Sequence, residues 1–218
     1  MDRDTLLENM KTAVIEGNKQ QAEELARKAV EQKEDLLDMI ENGFVPGIQK
    51  VGDMWEKGDY FLPELIASAE AMKAAMNILQ PEMEKIGVKA RSTGRVVIGT
   101  VEGDIHDIGK SLVSSLLSAN GFDVIDLGAD VKLTLFIEKA EEVKADLICL
   151  SSLLTTTMLG QKRLLNMLSE KNIRDKYKIL VGGAPVTRQW SENIGADGYA
   201  ENAMSAVVEA KKLVDRKG

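Results

Sequence analysis

The hydrophobic period of this 218-residue chain changes near residue 88. Before that point apolar residues recur only at helical spacing; after it, short apolar runs of strand length alternate with helical stretches. Leu6, Leu7, Met10, Val14 and Ile15 share one helix face, and Gly17-Asn18 supplies a stop and then an N-cap for a helix over Ala22–Val30. A third helical stretch, Leu36–Ile40, is expected to break at Asn42-Gly43-Phe44-Val45-Pro46-Gly47 before Ile48–Trp55 resumes it. The longest opens at Pro63, which suits a first turn, and continues through Leu65, Ile66, Ala69, Met72, Met76 and Leu79. Residues 1–88 are thus expected to form a small four-helix bundle, with 89–94 as a linker. In 95–218, strands are predicted at 95–101, 122–127, 146–151, 177–181 and 196–200, with helices near 109–119, 133–143, 158–170, 187–193 and 202–215. Such alternation predicts an α/β domain: a doubly wound, parallel five-stranded sheet of flavodoxin or Rossmann-like type.

Composition narrows the function classes. A formal charge of −7 argues against a nucleic-acid partner, which calls for clustered Lys and Arg. The single cysteine, Cys149, lies inside the apolar run Asp146–Leu150, so the chain holds neither a disulfide framework nor a thiolate metal site. The charged start Met1-Asp2-Arg3-Asp4 is unlike a signal peptide, and no apolar run is long enough to span a bilayer. A cytoplasmic protein without a membrane partner is expected.

The only histidine, His106, falls in Asp104-Ile105-His106-Asp107-Ile108-Gly109, between the first predicted strand and its helix. In an open α/β sheet such loops sit at the carboxyl ends of the strands, where ligands bind. Neutral imidazole is a common metal ligand, and a carboxylate on its other nitrogen fixes the tautomer; Asp104, two residues earlier, is placed for that. In the strand order 2-1-3-4-5 the loop after the third strand faces the first, and it begins Ser151-Ser152-Leu153-Leu154-Thr155-Thr156-Thr157. These hydroxyls can bond a polar ligand or Asp104. The fourth strand ends in Gly182-Gly183, which allows close approach to the backbone. Singly, the hydroxyls read as a helix cap and the glycines as a turn; together they outline a slot. A phosphate-binding loop is disfavoured, although Gly109-Lys110-Ser111 mimics its end. Asp104 stands where the loop needs its first glycine, and a carboxylate there repels phosphate. Gly99 and Gly103 likewise miss the dinucleotide pattern.

The set Asp104-x-His106-x-x-Gly109, Ser151-x-Leu153 and Gly182-Gly183 resembles the cobalamin-binding signature of corrinoid methyltransferases and related mutases. The stretch Gly52–Leu65, followed by Ser68–Met72, resembles the helical cap of methyl-carrying corrinoid proteins of methylamine, methanol, quaternary amine or aryl methyl ether systems. The resemblance implies a base-off cobalamin or related corrinoid, with His106 as the lower axial ligand of cobalt and the nucleotide tail in a deep slot. Asp107, Ile108, Gly109, Ser151, Leu153, Thr155, Gly182 and Gly183 would contact the corrin or tail. Asp104 would hydrogen-bond His106, Thr157 would contact Asp104, and Trp55 and Leu62 would shield the methyl group. A substrate-specific methyltransferase would methylate Co(I), and a second would pass the group from methyl-Co(III) to a thiol or tetrahydrofolate. A reductive activation protein would restore Co(I). The chain would be a cofactor-carrying subunit rather than a stand-alone catalyst. A cobalamin sensor also pairs a helical cap with this domain, but the first 88 residues show no basic recognition helix.

Overall fold

The computed structural model describes residues 1–86 and 92–215. Residues 87–91, which hold much of the expected linker, lie outside the described residues. The chain divides into two compact units, Met1–Arg91 and Ser92–Gly218.

The first unit is helical. Helix α1 (Arg3–Ile15) is capped by Asp2, whose carboxylate accepts from Thr5 N, and α2 (Lys19–Glu31) by Asn18, which accepts from Gln21 N. Gly17 turns the chain between them at φ 63°, and a Cβ there would lie 2.5 Å from Cβ of Ala67. The next stretch corrects the expected break. A short α3 (Leu36–Asp38) passes into a wide π turn over Met39–Phe44 and on into α4 (Val45–Lys57), with Pro46 in the first turn of α4. The wider turn lets Met39, Ile40, Gly43 and Phe44 all be buried, so Asn42-Gly43 is wound into the helix. Helix α5 (Leu62–Lys85) begins one residue before Pro63, where Glu64 accepts from Phe61 N. The carbonyl of Ile15, near the end of α1, accepts from Tyr60 Oη and Ser68 Oγ, which joins α1 to the start of α5. Leu6, Met10, Phe44, Met72, Leu79 and Met83 are fully buried or nearly so in this unit.

In the second unit, β1 (Gly94–Thr100), β2 (Phe122–Asp126), β3 (Leu147–Ser151), β4 (Lys178–Gly182) and β5 (Gly198–Ala200) form the parallel sheet that the alternation predicts, in the flavodoxin-like order 2-1-3-4-5. The intervening helices are α6 (Ile108–Ala119), α7 (Leu133–Val143), α8 (Thr155–Glu170) and α9 (Arg188–Ile194), with α10 (Ala203–Asp215) last. Helices α6 and α10 pack together on one face of the sheet. On the other face Val97, Val101, Ile148, Leu150, Ile179 and Val181 meet Phe136 of α7 and Leu164 and Leu168 of α8 in a continuous core. Helix α8 starts at Thr155 rather than 158, so Thr155–Thr157 form its first turn instead of a loop. Among the described residues no helix is long and apolar enough to cross a membrane.

Candidate functional site

Strands β1 and β3 are adjacent, so the β1–α6 and β3–α8 loops leave the sheet side by side at its carboxyl edge. Asp104 joins them. It is 0% exposed, and its two oxygens receive hydrogen bonds from both loops. Oδ1 lies 2.7 Å from His106 Nδ1 and 3.1 Å from His106 N; Oδ2 accepts from Leu153 N at 2.7 Å, Leu154 N at 3.3 Å and Thr157 Oγ1 at 2.7 Å. Burial alone would raise the Asp104 pKa, but the bonds from Thr157, Leu153 and His106 outweigh it and hold the group below the ordinary carboxylate value of 3.8. Asp104 is therefore a buried anion that accepts only, and the tautomer of His106 that suits it carries its hydrogen on Nδ1. That tautomer leaves Nε2 with its lone pair. Nε2 takes no hydrogen bond among the described residues, and the His106 side chain is 47% exposed.

The rest of the loop is braced from three directions. Thr100 Oγ1 donates to His106 O at 3.0 Å. The β2–α7 connection supplies Asp130, at φ 53°, whose Oδ1 accepts from Gly103 N and whose own N–H donates to Asp104 O. Lys110 is buried, with Nζ 2.7 Å from Asp107 Oδ1 and paired also to Asp126 at the end of β2; Asp107 further accepts from Ser111 Oγ. The lysine that imitates a phosphate-binding loop in sequence is thus committed to two carboxylates.

His106 stands at a cavity of about 760 Å³ between the sheet and helices α6 and α10. Asp107, Ile108, Gly109, Ser151, Leu153, Gly182 and Gly183 line it, together with Ile105, Lys110 and an apolar set that includes Ile98, Leu112, Cys149 and Leu180. Thr157 acts from behind, through Asp104, and Thr155 is exposed and away from the cavity. Trp55 on α4 and Leu62 at the start of α5 belong to the helical unit, where Trp55 is half-buried and Leu62 is exposed beside exposed Phe61 and Ile66. Two glycines differ in what requires them. A Cβ at Gly183, φ 127°, would fall 1.7 Å from the Ser152 carbonyl oxygen, so the packing of two loops demands glycine there. A Cβ at Gly109 would meet nothing within 4 Å, so nothing in the protein itself calls for glycine at that point of the cavity mouth.

The sequence reading omits Ile105 and Lys110 and the apolar depth of the cavity. Ile105 had a signal, an apolar residue beside the loop histidine. Lys110 had none, because Asp126 becomes its neighbour only through strand pairing.

These residues fit a corrinoid. The candidate donor is a single imidazole whose Nε2 takes no hydrogen bond among the described residues, exposed Ile105 and Ile108 flank it, the latter 90% exposed, and the open space at Gly109 adjoins a largely apolar cleft. Among the described residues no cluster of His, Cys, Asp or Glu could hold a bare metal ion, so a metal here would bring its other ligands with it.

Comparison with known proteins agrees. Two families, each described as a B12 binding domain, match residues 94–208 and 6–80. A corrinoid protein of Desulfitobacterium hafniense is 49% identical over 97% of this chain and 99% of its own length. A trimethylamine corrinoid protein of Methanosarcina acetivorans is 46% identical over 97% and 98%. The solved methanol:cobalamin methyltransferase complex MtaBC of Methanosarcina barkeri superimposes with a TM-score of 0.86 at 31% identity, covering 98% of this chain and 81% of that one. The chain belongs to the corrinoid proteins, the B12-binding family of methyltransferase systems.

Proposed function

We propose that this chain carries a methyl group on a base-off corrinoid, with His106 Nε2 as the lower ligand of cobalt, between a substrate-specific methyltransferase and a second methyltransferase acting on a thiol or tetrahydrofolate. The carrying observation is the His106 ring, held through Nδ1 by a buried carboxylate, with its other nitrogen unbonded among the described residues and the ring lining an approximately 760 Å³ cavity. When bound, the corrinoid supplies a cobalt centre able to accept a methyl group and give it up again. The residues of the chain control the ring. Asp104 keeps the proton on Nδ1, which makes Nε2 a stronger donor. The Asp104 carboxylate, 2.7 Å from Nδ1, would hold the ring in one orientation with or without a metal on Nε2. Thr157, Leu153 N and Leu154 N keep Asp104 in place throughout.

Gly109, Ser151, Leu153, Gly182 and Gly183 receive the nucleotide tail, with Asp107 and Ile108 at the mouth; Thr155, away from the cavity, is the weakest member of the set. Trp55 and Leu62 shield the methyl group, a role supported by the exposed apolar side chains Phe61, Leu62 and Ile66 on the helical unit. Methylamines are the favoured donors, because trimethylamine and dimethylamine corrinoid proteins are 46% and 45% identical to this chain, against 31% for the methanol system. A reductive activation protein serves the carrier in the cytoplasm, and residues 1–88 and 95–218 are its helical and cobalamin-binding domains, with 89–94 as linker. Electron paramagnetic resonance of the Co(II) form, loaded onto protein labelled with ¹⁵N in its one histidine, tests the reading. A ¹⁵N superhyperfine doublet is expected; coupling to a benzimidazole nitrogen, or failure to bind corrinoid, would overturn it.

A further inference from the structure

The depth of the cavity follows from the strand register. Thr100, Ser151, Gly182 and Ala200 are paired neighbours at the carboxyl edge, and two residues down each strand, on the same face, come Ile98, Cys149, Leu180 and Gly198. The upper row is small, which leaves room between the sheet and helices α6 and α10. The lower row closes that room with Ile98, Cys149 and Leu180, flanked by Leu112 of α6 and Ala206 of α10.

Polar side chains stop at the mouth. His106, Asp107, Ser151, Glu201 and Asn202 all lie at or beyond strand ends, and Lys110 is occupied by Asp107 and Asp126. At the floor, β1, β3 and β4 are interior strands whose peptide groups are spent on their neighbours. Among the described residues the one side-chain heteroatom there is the Cys149 thiol, whose pKa burial raises, so it stays neutral and bonds weakly. A ligand group reaching this depth finds no partner for a ring nitrogen or an amine.

We infer that the floor formed by Ile98, Cys149 and Leu180 makes this chain selective for the lower base of its corrinoid, taking a benzimidazole whose far edge is apolar over a purine such as adenine. The inference rests on the corrinoid reading above. Adenine presents ring nitrogens and an exocyclic amine where a benzimidazole presents C–H or methyl, and burying them unpaired costs affinity. Discrimination of about 10- to 100-fold is expected of an apolar pocket meeting added polar groups.

Apo-protein of the full chain is titrated with cobalamin and with its adenine-based counterpart, following tryptophan fluorescence and corrin absorbance. A dissociation constant about 10- to 100-fold lower for cobalamin supports the proposal. Cys149→Ser, nearly isosteric, places a stronger donor and acceptor in the floor and should narrow the ratio by improving adeninyl binding, whereas Cys149→Ala should keep the wild-type ratio. Equal binding of the two corrinoids, or tighter adeninyl binding, overturns the selectivity and leaves the carrier function standing. A wild-type ratio that persists in Cys149→Ser refutes its assignment to the floor. Binding of neither corrinoid overturns the corrinoid reading itself.

Discussion

Replacing Asp104 with asparagine changes one acceptor oxygen into an NH₂ donor while preserving shape. Oδ1 faces His106 N and Nδ1; Oδ2 faces Leu153 N, Leu154 N and Thr157 Oγ1. Whichever way the amide is placed, its NH₂ opposes a backbone N–H, and the remaining bonds lose the assistance of charge. With the amide oxygen kept toward Leu153, the NH₂ meets the His106 pair, so Nδ1 must accept and the proton moves to Nε2. One bond to a charged group, worth about 1.5–3 kcal/mol, is lost outright and others weaken, which gives about 2–4 kcal/mol. For a unit the size of Ser92–Gly218 that corresponds to a fall in Tm of about 7–15 °C. Thermal unfolding of apo-protein followed by circular dichroism reads the loss. Because the chain has one histidine, ¹⁵N-edited NMR at about pH 9, where an ordinary imidazole is neutral, reads the tautomer without ambiguity. The wild type should carry its proton on Nδ1 and the variant on Nε2. An unchanged Tm together with an unchanged tautomer would refute the assignment of Asp104 as the group that sets the ring.

Thr157→Val removes the 2.7 Å hydroxyl bond to Asp104 and should cost about 1.5–3 kcal/mol in denaturant unfolding while leaving the tautomer intact. The native Asp104 pKa lies below 3.8, so its contribution is present above that unfolded value and is lost as pH falls through and below it; the stability gap between wild type and Asp104→Asn should close on acidification, as parallel melts would show. Gly183→Ala forces a Cβ to within 1.7 Å of the Ser152 carbonyl at φ 127° and should cost more than about 3 kcal/mol or abolish folding, visible as lost soluble yield. Gly109→Ala meets open space in the first turn of a helix, so its Tm should hold or rise by an amount worth up to about 1 kcal/mol while corrinoid affinity falls.

The parallel sheet was legible because each strand is a short apolar run followed by a helical period, its order only by likeness to the flavodoxin type, and Asp104 next to His106 needed only local spacing. Strand and helix ends moved by a few residues, chiefly at α8, where Thr155–Thr157 looked like loop but form a first turn. The π turn was illegible, since Asn42-Gly43 carries a breaker signal that burial of Met39, Ile40 and Phe44 overrides. Contacts that depend on register were equally hidden. Asp126 reaches Lys110 only because β2 lies beside β1, and Ile98, Cys149 and Leu180 form a floor only because their strands pair in phase. In sequence Gly183 offers room for a ligand, yet packing against Ser152 of a neighbouring strand's loop requires a glycine there.

The buried carboxylate beneath His106 also bears on when the ring acquires its orientation. Since the imidazole is oriented by contacts internal to one lobe, its ordering is completed when the polypeptide folds and not when a guest arrives. The fold alone therefore sets the direction in which Nε2 points.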